Sequence, residues 1–269
     1  MWHPVHVVNE EIPDGQRFIQ GLARGLAVMR SFDAEHQRMR LPELSSRTGL
    51  SRATVRRCVL TLETLGYVRS DDGYFELTHK VLEFGYSYMS GQSLSSIARP
   101  FLEDLSARTG ESTSLTVLSG TEILYIDRVH RKSIIRVDIT IGTRFPAIVT
   151  SMGRVMLAAM GGDELDDFLR DARFEKLTPR TITDEATLRR ELDRARESGW
   201  ALVDQEFEIG LRSIAVPVPN REGTVVGAIN VSLRVAERQP IDDERVAELV
   251  TELKRTAKEL GEAISLTNG

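Results

Sequence analysis

Leu41-Pro42-Glu43-Leu44-Ser45-Ser46-Arg47-Thr48-Gly49-Leu50-Ser51-Arg52-Ala53-Thr54-Val55-Arg56-Arg57 is the stretch on which the fold turns. Leu41 and Leu44 seed a short helix. Pro42 is tolerated in its first turn, where a missing N–H costs nothing. Thr48-Gly49 ends that helix, because glycine enters the left-handed conformation without penalty. Ser51 is a good N-cap for the next helix, which runs from about Arg52 to Leu65. Val55, Val59 and Leu62 form its apolar stripe, with Cys58 and Leu65 beside it, and Gly66 stops it. Upstream, Phe18, Leu22, Leu26, Met29 and Phe32 recur at helical spacing and predict a first helix with that stripe toward the core. Downstream, Tyr67-Val68-Arg69 and Tyr74-Phe75-Glu76-Leu77 flank Asp72-Gly73, a tight hairpin signal. Helix, glycine turn, capped helix and hairpin together make a winged helix-turn-helix.

The charges sit where such a motif needs them. Net charge is −5, yet the first ninety residues carry eleven basic and eleven acidic side chains. Residues 38–57 hold Arg38, Arg40, Arg47, Arg52, Arg56 and Arg57 against Glu43 alone. A basic stripe on a neutral domain is an electrostatic footprint for nucleic acid. A solvated helix face is the plainer alternative for any charge run. Here the stripe coincides with the non-core side of a capped helix. Arg52 and Arg56 are four apart and share a face. The N-terminal turn, with Ser51 and Thr54, suits phosphate oxygens. Arginine can pair in bidentate fashion with guanine. The DNA-contacting set read from the sequence is Arg40, Ser51, Arg52, Ala53, Thr54, Arg56 and Arg57, with Arg69 on the wing.

At 269 residues, a prior of about 150 per domain gives roughly two domains. Hydrophobic residues at 41% and charged residues at 28% exclude a disordered or collagen-like chain. No run approaches the length of a transmembrane helix. Met1-Trp2-His3-Pro4 does not open a secretory signal, so the cytoplasm is the expected compartment. A single cysteine, Cys58, can form neither an internal disulfide nor a zinc knuckle. The expected organisation is a flexible tail over 1–15, the winged helix-turn-helix over 16–78, a linker helix over 79–92 and a second domain over 93–266.

That second domain mixes helices and strands. A helix is expected from Leu94 to Thr109-Gly110. Strands follow at 113–118 and 122–129, joined at Ser119-Gly120, and another at 134–141. A helix opens near Gly153, and two more cover 163–171 and 184–198. Strands at 201–205, 212–218 and 225–233 precede an amphipathic helix over 241–264. Hairpin-like joints predict an antiparallel sheet flanked by helices, an α+β fold. The Thr150-Ser151-Met152-Gly153 turn offers helix N–H groups and a hydroxyl to a carboxylate. Arg144 and Arg154 could neutralise such a group, with ordinary ion pairing as the alternative. Asn230 and Ser232 share one strand face, and Asn230 is polar among apolar neighbours.

The quoted stretch resembles the DNA-binding motif of IclR-type transcriptional regulators. Gly142-Thr143-Arg144-Phe145-Pro146, Thr150-Ser151-Met152-Gly153-Arg154-Val155-Met156-Leu157-Ala158 and Gly210-Leu211-Arg212-Ser213-Ile214-Ala215-Val216-Pro217 resemble that family's effector domain. Within the family, Phe18 to Leu26, Ala53 to Arg57 and Leu60 to Val68 look like the PcaR/PcaU/PobR group, which controls the β-ketoadipate pathway. The resemblance implies a GAF-like effector domain. It implies an effector site at Ile134, Val137, Leu211, Ser213, Asn230 and Ser232, with an acidic member near Asp204. Added to the Thr150–Met152 turn and the two arginines, that is the candidate site. The implied partners are operator DNA, a small organic acid (aromatic acid or dicarboxylate) and further copies of the chain, as dimer or tetramer. No cofactor, metal or membrane is expected.

Three alternatives stand beside this reading. Asp204, Glu206 and Glu208 alternate and could do acid–base work or bind metal. No catalytic histidine spacing, nucleophile elbow or phosphate loop supports an enzyme. A small-acid regulator with a glyoxylate- or pyruvate-like effector remains the alternative within the family. A ligand-binding scaffold without a DNA role stands further off.

Overall fold

The computed structural model describes residues 18–84, 94–131, 139–236 and 240–267. It divides into two compact units, Met1–Gly91 and Gln92–Gly269. The expected tail over 1–15 lies outside the described residues. So does most of the expected linker helix. His79–Val81 form a 3-10 turn, and residues 82–84 are helical.

The first unit contains α1 (Gln20–Arg30), α2 (Leu41–Thr48), α3 (Arg52–Thr64) and the ribbon β1 (Val68–Asp71) and β2 (Tyr74–Leu77). The α2–α3 turn forms as the sequence dictates. Gly49 takes φ 69°, and the Ser51 hydroxyl accepts the Thr54 N–H at 3.3 Å. β1 and β2 pair antiparallel around Asp72 (φ 47°) and Gly73 (φ 73°), which turn with the twist a two-residue hairpin needs. Val28, Met39, Leu44, Val55, Val59, Leu62, Val68 and Phe75 form the core.

One expectation is corrected here. The stripe Phe18, Leu22 and Leu26 does not face the core: Leu22 is 61% exposed and Leu26 48%. Ala27 and Val28 are the buried residues of α1. Two neighbouring lines on this helix are apolar, and the smaller side chains are the ones set against α2 and α3.

The second unit begins with α4 (Leu94–Thr109). It continues through β3 (Ser112–Ser119), β4 (Glu122–Val129), β5 (Arg144–Pro146), α5 (Ser151–Ala158), α6 (Gly162–Asp171) and α7 (Glu185–Ser198). It closes with β6 (Ala201–Asp204), β7 (Leu211–Pro219), β8 (Val225–Arg234) and α8 (Asp243–Thr267). The strands form one antiparallel sheet in the order β5-β4-β3-β8-β7-β6. The strand expected over 134–141 falls partly outside the described residues, and 139–141 are loop. β5, only three residues and ending in proline, escaped the sequence pattern.

Alternation divides the sheet into two faces. Ile229 and Val231 on β8, Ile214, Val216 and Val218 on β7, and Leu115 on β3 pack against Leu102 and Leu105 of α4 and Leu253 and Leu260 of α8. Ala228 and Ala215 point the other way, onto Leu157 of α5 and Leu188 and Leu192 of α7. Asn230 and Ser232 follow Ala228 on that second face, as do Ser213 beside Ala215 and Ser112, Ser114 and Thr116 on β3. This is the face that carries the candidate site.

α5 is held close to the chain before it. The Thr150 hydroxyl accepts the Gly153 N–H at 3.1 Å. A Cβ on Gly153 would stand 2.1 Å from the Ala147 carbonyl oxygen, in a place where backbone must move. Gly153→Ala is therefore expected to destabilise this unit by roughly 1–3 kcal/mol through overpacking. Gly162→Ala, with open space around it, is expected to stabilise by about 0.4–1 kcal/mol through the unfolded chain. Urea unfolding followed by circular dichroism checks both; equal effects would contradict the close approach.

Candidate functional site

In the first unit the structure sorts the arginines. Arg47 donates to Asp33 at 2.5 Å and to the Ser31 carbonyl at 3.0 Å, tying α2 to the chain after α1. Arg38 pairs with Asp71, and Arg69 pairs with Glu76 across the wing. Arg40 lies over the Tyr74 ring at 4.4 Å, and its N–H is accepted by Glu43. Arg52, Arg56 and Arg57 are exposed on α3 and have no ion pair among the described residues. Ala53 is exposed beside them, and Thr54 is half-buried with its hydroxyl 3.0 Å from that of Ser51. Three guanidinium groups without an ion pair among the described residues thus line the exposed side of the capped helix.

Asp33 anchors this arrangement. Burial alone would raise its pKa, but hydrogen bonds from His36 and the nearby Arg47 charge outweigh that and hold it below the ordinary value. A depressed carboxyl stabilises the fold above its unfolded pKa of about 3.9 and loses that contribution as pH falls through the lower folded value.

In the second unit a chain of polar contacts crosses from α5 to the sheet. The Ser151 hydroxyl lies 2.7 Å from that of Ser213 on β7. The Asn230 amide donates to Ser213 at 2.8 Å and to Ser232 at 3.0 Å. Thr150, Ser151, Asn230 and Ser232 are buried. Among the described residues, the Ser151 and Met152 N–H groups at the start of α5 have no hydrogen-bond partner. The structure thus brings Ser151, Ser213, Asn230 and Ser232 together, four expected residues from three separate elements. Leu211 is half-buried on the same face as Ser213. Met152 is buried, chiefly as core. Ile134 and Val137 lie outside the described residues.

Three expected residues are corrected. Arg154 is 2% exposed, and its guanidinium is already matched by Glu206, at 2.7 and 2.6 Å, with Nε donating to the Ile148 carbonyl. Arg144 is bonded at the β3–β4 turn, to Ser119 and Glu122, not to the serine–asparagine cluster. Asp204 is opposite Arg212 in the β6–β7 register, whereas Val203 is opposite Ser213. Period-two alternation therefore puts Asp204 on the other sheet face. There it accepts from Arg212 at 2.8 Å and Arg180 at 2.5 Å. Burial would raise its pKa, and these partners with Gln205 hold it low instead.

Sequence reasoning also missed residues on this face. Arg128 of β4 donates to the Ser114 hydroxyl at 2.8 Å, and Ser114 is directly opposite Asn230. Tyr125 is opposite Thr116, and its ring meets Phe145 edge-on at 5.7 Å; Phe145 in turn touches Phe207 at 4.3 Å. Burial raises the Tyr125 pKa, keeping the phenol neutral. The available signal was alternation: Ser112, Ser114 and Thr116 occupy every second position of a strand.

Residues 21–72 match the IclR helix-turn-helix domain, and residues 86–262 match the C-terminal domain of bacterial IclR transcriptional regulators. The chain belongs to the IclR family. This is a family of DNA-binding transcriptional regulators, not of enzymes. The Pca regulon regulatory protein of Pseudomonas putida is 42% identical over 81% of this chain and 75% of its own length. The p-hydroxybenzoate hydroxylase transcriptional activator of Acinetobacter baylyi is 37% identical over 94% of both. The crystal structure of a transcriptional regulator from Rhodococcus sp. RHA1 superposes with a TM-score of 0.79 at 44% identity, covering 93% of this chain and 100% of that one. Among the described residues, no helix is long and apolar enough to cross a membrane.

Two outcomes follow for this IclR regulator. Glu206→Ala leaves Arg154 buried and unpaired, an expected loss of about 3–5 kcal/mol, whereas Arg154→Met with Glu206→Leu recovers most of it. Equal losses for the single and double variants, in urea titrations, would mean that the charge pairing is not the cause. Asp33→Asn is expected to flatten the acid limb of stability as pH falls below the ordinary carboxylate value of about 3.9, where the parent loses its Asp33 contribution. Thermal melts across that range read it directly.

Proposed function

We propose that this IclR regulator controls an operon for the breakdown of an aromatic acid, and that the acid binds on the α5-facing side of the sheet. The observation that carries the reading is the buried polar cluster Ser151–Ser213–Asn230–Ser232 beside the unpaired first-turn N–H groups of α5. Helix N–H groups and the local dipole favour an anion. The Tyr125–Phe145–Phe207 aromatic group on the same side of the sheet suits a ring. The Acinetobacter baylyi relative is, by its printed name, the transcriptional activator of p-hydroxybenzoate hydroxylase, which supports the same class.

α3 is the DNA-reading element in this proposal. Its first turn enters the major groove, Arg52, Arg56 and Arg57 meet phosphates or guanine, and the wing flanks them. One such head covers a short half-site, so the working form is a homodimer or a tetramer. The exposed apolar line Phe18, Ile19, Leu22 and Leu26 is consistent with a second copy. The acid acts by preferring one arrangement of the DNA-reading heads, since a ligand shifts an equilibrium only by its difference in affinity for the two states.

Two measurements test this. The R52A/R56A/R57A triple variant is expected to bind the chain's own promoter region at least about tenfold more weakly, with a salt slope shallower by up to roughly 3. Unchanged affinity by fluorescence anisotropy would refute the DNA role of α3. For the effector, melting temperature is read against protocatechuate, 4-hydroxybenzoate, β-ketoadipate, glyoxylate and pyruvate, since a ligand of the folded state raises it. A rise with glyoxylate or pyruvate alone would replace the aromatic reading with the small-acid one.

A further inference from the structure

Two oxygen atoms on the α5-facing side of the sheet are buried without a hydrogen-bond partner among the described residues: Asn230 Oδ1 and Thr116 Oγ1. Asn230 is 1% exposed and Thr116 0%. They are neighbours. Thr116 of β3 is opposite Ala228 of β8, two residues from Asn230, so the two side chains are diagonal partners on one face. Buried polar atoms are nearly always satisfied, and each exception calls for an explanation. Two together on the side of the sheet that carries the candidate site call for a common one.

The chemistry of the pair is selective. The Asn230 amide nitrogen donates to Ser213 and to Ser232, and its carbonyl oxygen is the atom left without a partner. That atom can only accept. A carboxylate has no hydrogen to give and would be repelled by it. Thr116 can donate through its own hydroxyl. A single hydroxyl group satisfies both, giving its hydrogen to Asn230 Oδ1 and accepting that of Thr116. An aromatic C–H satisfies neither, and an ether oxygen satisfies only Thr116.

We infer that Asn230 and Thr116 are the specificity-determining residues of the effector site, and that they select an aromatic acid bearing a ring hydroxyl over one without it and over a dicarboxylate. The inference rests on the aromatic-acid reading above and adds which end of the molecule is read where. The acid end belongs to the first turn of α5, and the hydroxyl end to the β3–β8 pair.

The test is isothermal titration of the full-length protein with 4-hydroxybenzoate, benzoate, 4-methoxybenzoate and β-ketoadipate. The parent is expected to bind 4-hydroxybenzoate at least about tenfold more tightly than benzoate or 4-methoxybenzoate, because the unsubstituted ring leaves the two oxygens unpaired. Thr116→Val is nearly isosteric and removes an unsatisfied hydroxyl, so it keeps the fold. It is expected to weaken 4-hydroxybenzoate and leave benzoate within about twofold, shrinking the preference. Equal binding of benzoate and 4-hydroxybenzoate by the parent would overturn the inference while sparing the aromatic-acid reading. So would a preference that survives in Thr116→Val. Binding of β-ketoadipate with none of the aromatic acids, or of no acid in the set, would overturn the aromatic-acid reading and this inference with it.

Discussion

Glu206 is the point through which the effector unit is tied together. Its two carboxylate oxygens take both terminal nitrogens of Arg154, and one also accepts the Ile182 N–H at 3.1 Å. Its backbone carbonyl accepts the Thr181 hydroxyl at 2.6 Å. One residue thus joins α5, the segment before α7 and the loop after β6. Desolvating two charges offsets much of their attraction, so such a pair adds little net stability. Its geometry is demanding, however. Bidentate guanidinium–carboxylate contact fixes the rotation of α5, and with it the direction in which Ser151 and the first-turn N–H groups face.

With α5 fixed, the sheet beneath can be polar on one part of one face. A β-sheet between two helical layers ordinarily has two apolar faces. Here one face is continuous core, from Leu115 through Ile229 to Ile214. The other is apolar where Ala215 and Ala228 meet α5, then turns to Ser114, Asn230, Ser232 and Ser213. Each buried polar atom left unpaired costs the free protein something on the order of 1–3 kcal/mol. A fold keeps that cost where function needs the atoms, which is why local rules fail at binding sites first.

That contrast explains what was legible in the sequence. The helix-turn-helix was legible because its signals are local: Gly49, the Ser51 cap and the Asp72-Gly73 turn each act within four residues. Asn230 and Ser232 were legible by period two. The 2.7 Å contact of Ser151 with Ser213 joins residues 62 apart and has no local mark. Charges were legible as charges but not as pairs. Nothing near Arg154 announces Glu206, 52 residues on, so a buried structural ion looked like a ligand group. Asp204 misled for a smaller reason, since one residue of register moves a side chain to the opposite face. The stripe on α1 misled because periodicity reports an apolar line without saying whether core or solvent meets it.

The charge balance of the chain looks wrong for DNA until it is taken unit by unit. Screening reduces interactions between exposed charges beyond about 8 Å at physiological salt. The excess of acidic residues lies after residue 90, in the other unit. On α3 itself the one acidic residue, Glu63, is eleven residues from Arg52, roughly 16 Å along the axis at 1.5 Å per residue. It also accepts the Ser70 hydroxyl at 2.5 Å. A phosphate approaching the N-terminal turn would therefore meet Arg52, Arg56 and the positive end of the helix dipole, within a unit whose own basic and acidic side chains balance. Three acids outside α2 and α3 are spent on other arginines: Asp33 on Arg47, Asp71 on Arg38 and Glu76 on Arg69. Pairing those arginines internally is what leaves the uncompensated charge concentrated on one helix, so the same ion pairs that hold the domain together also define the cationic face proposed to meet DNA.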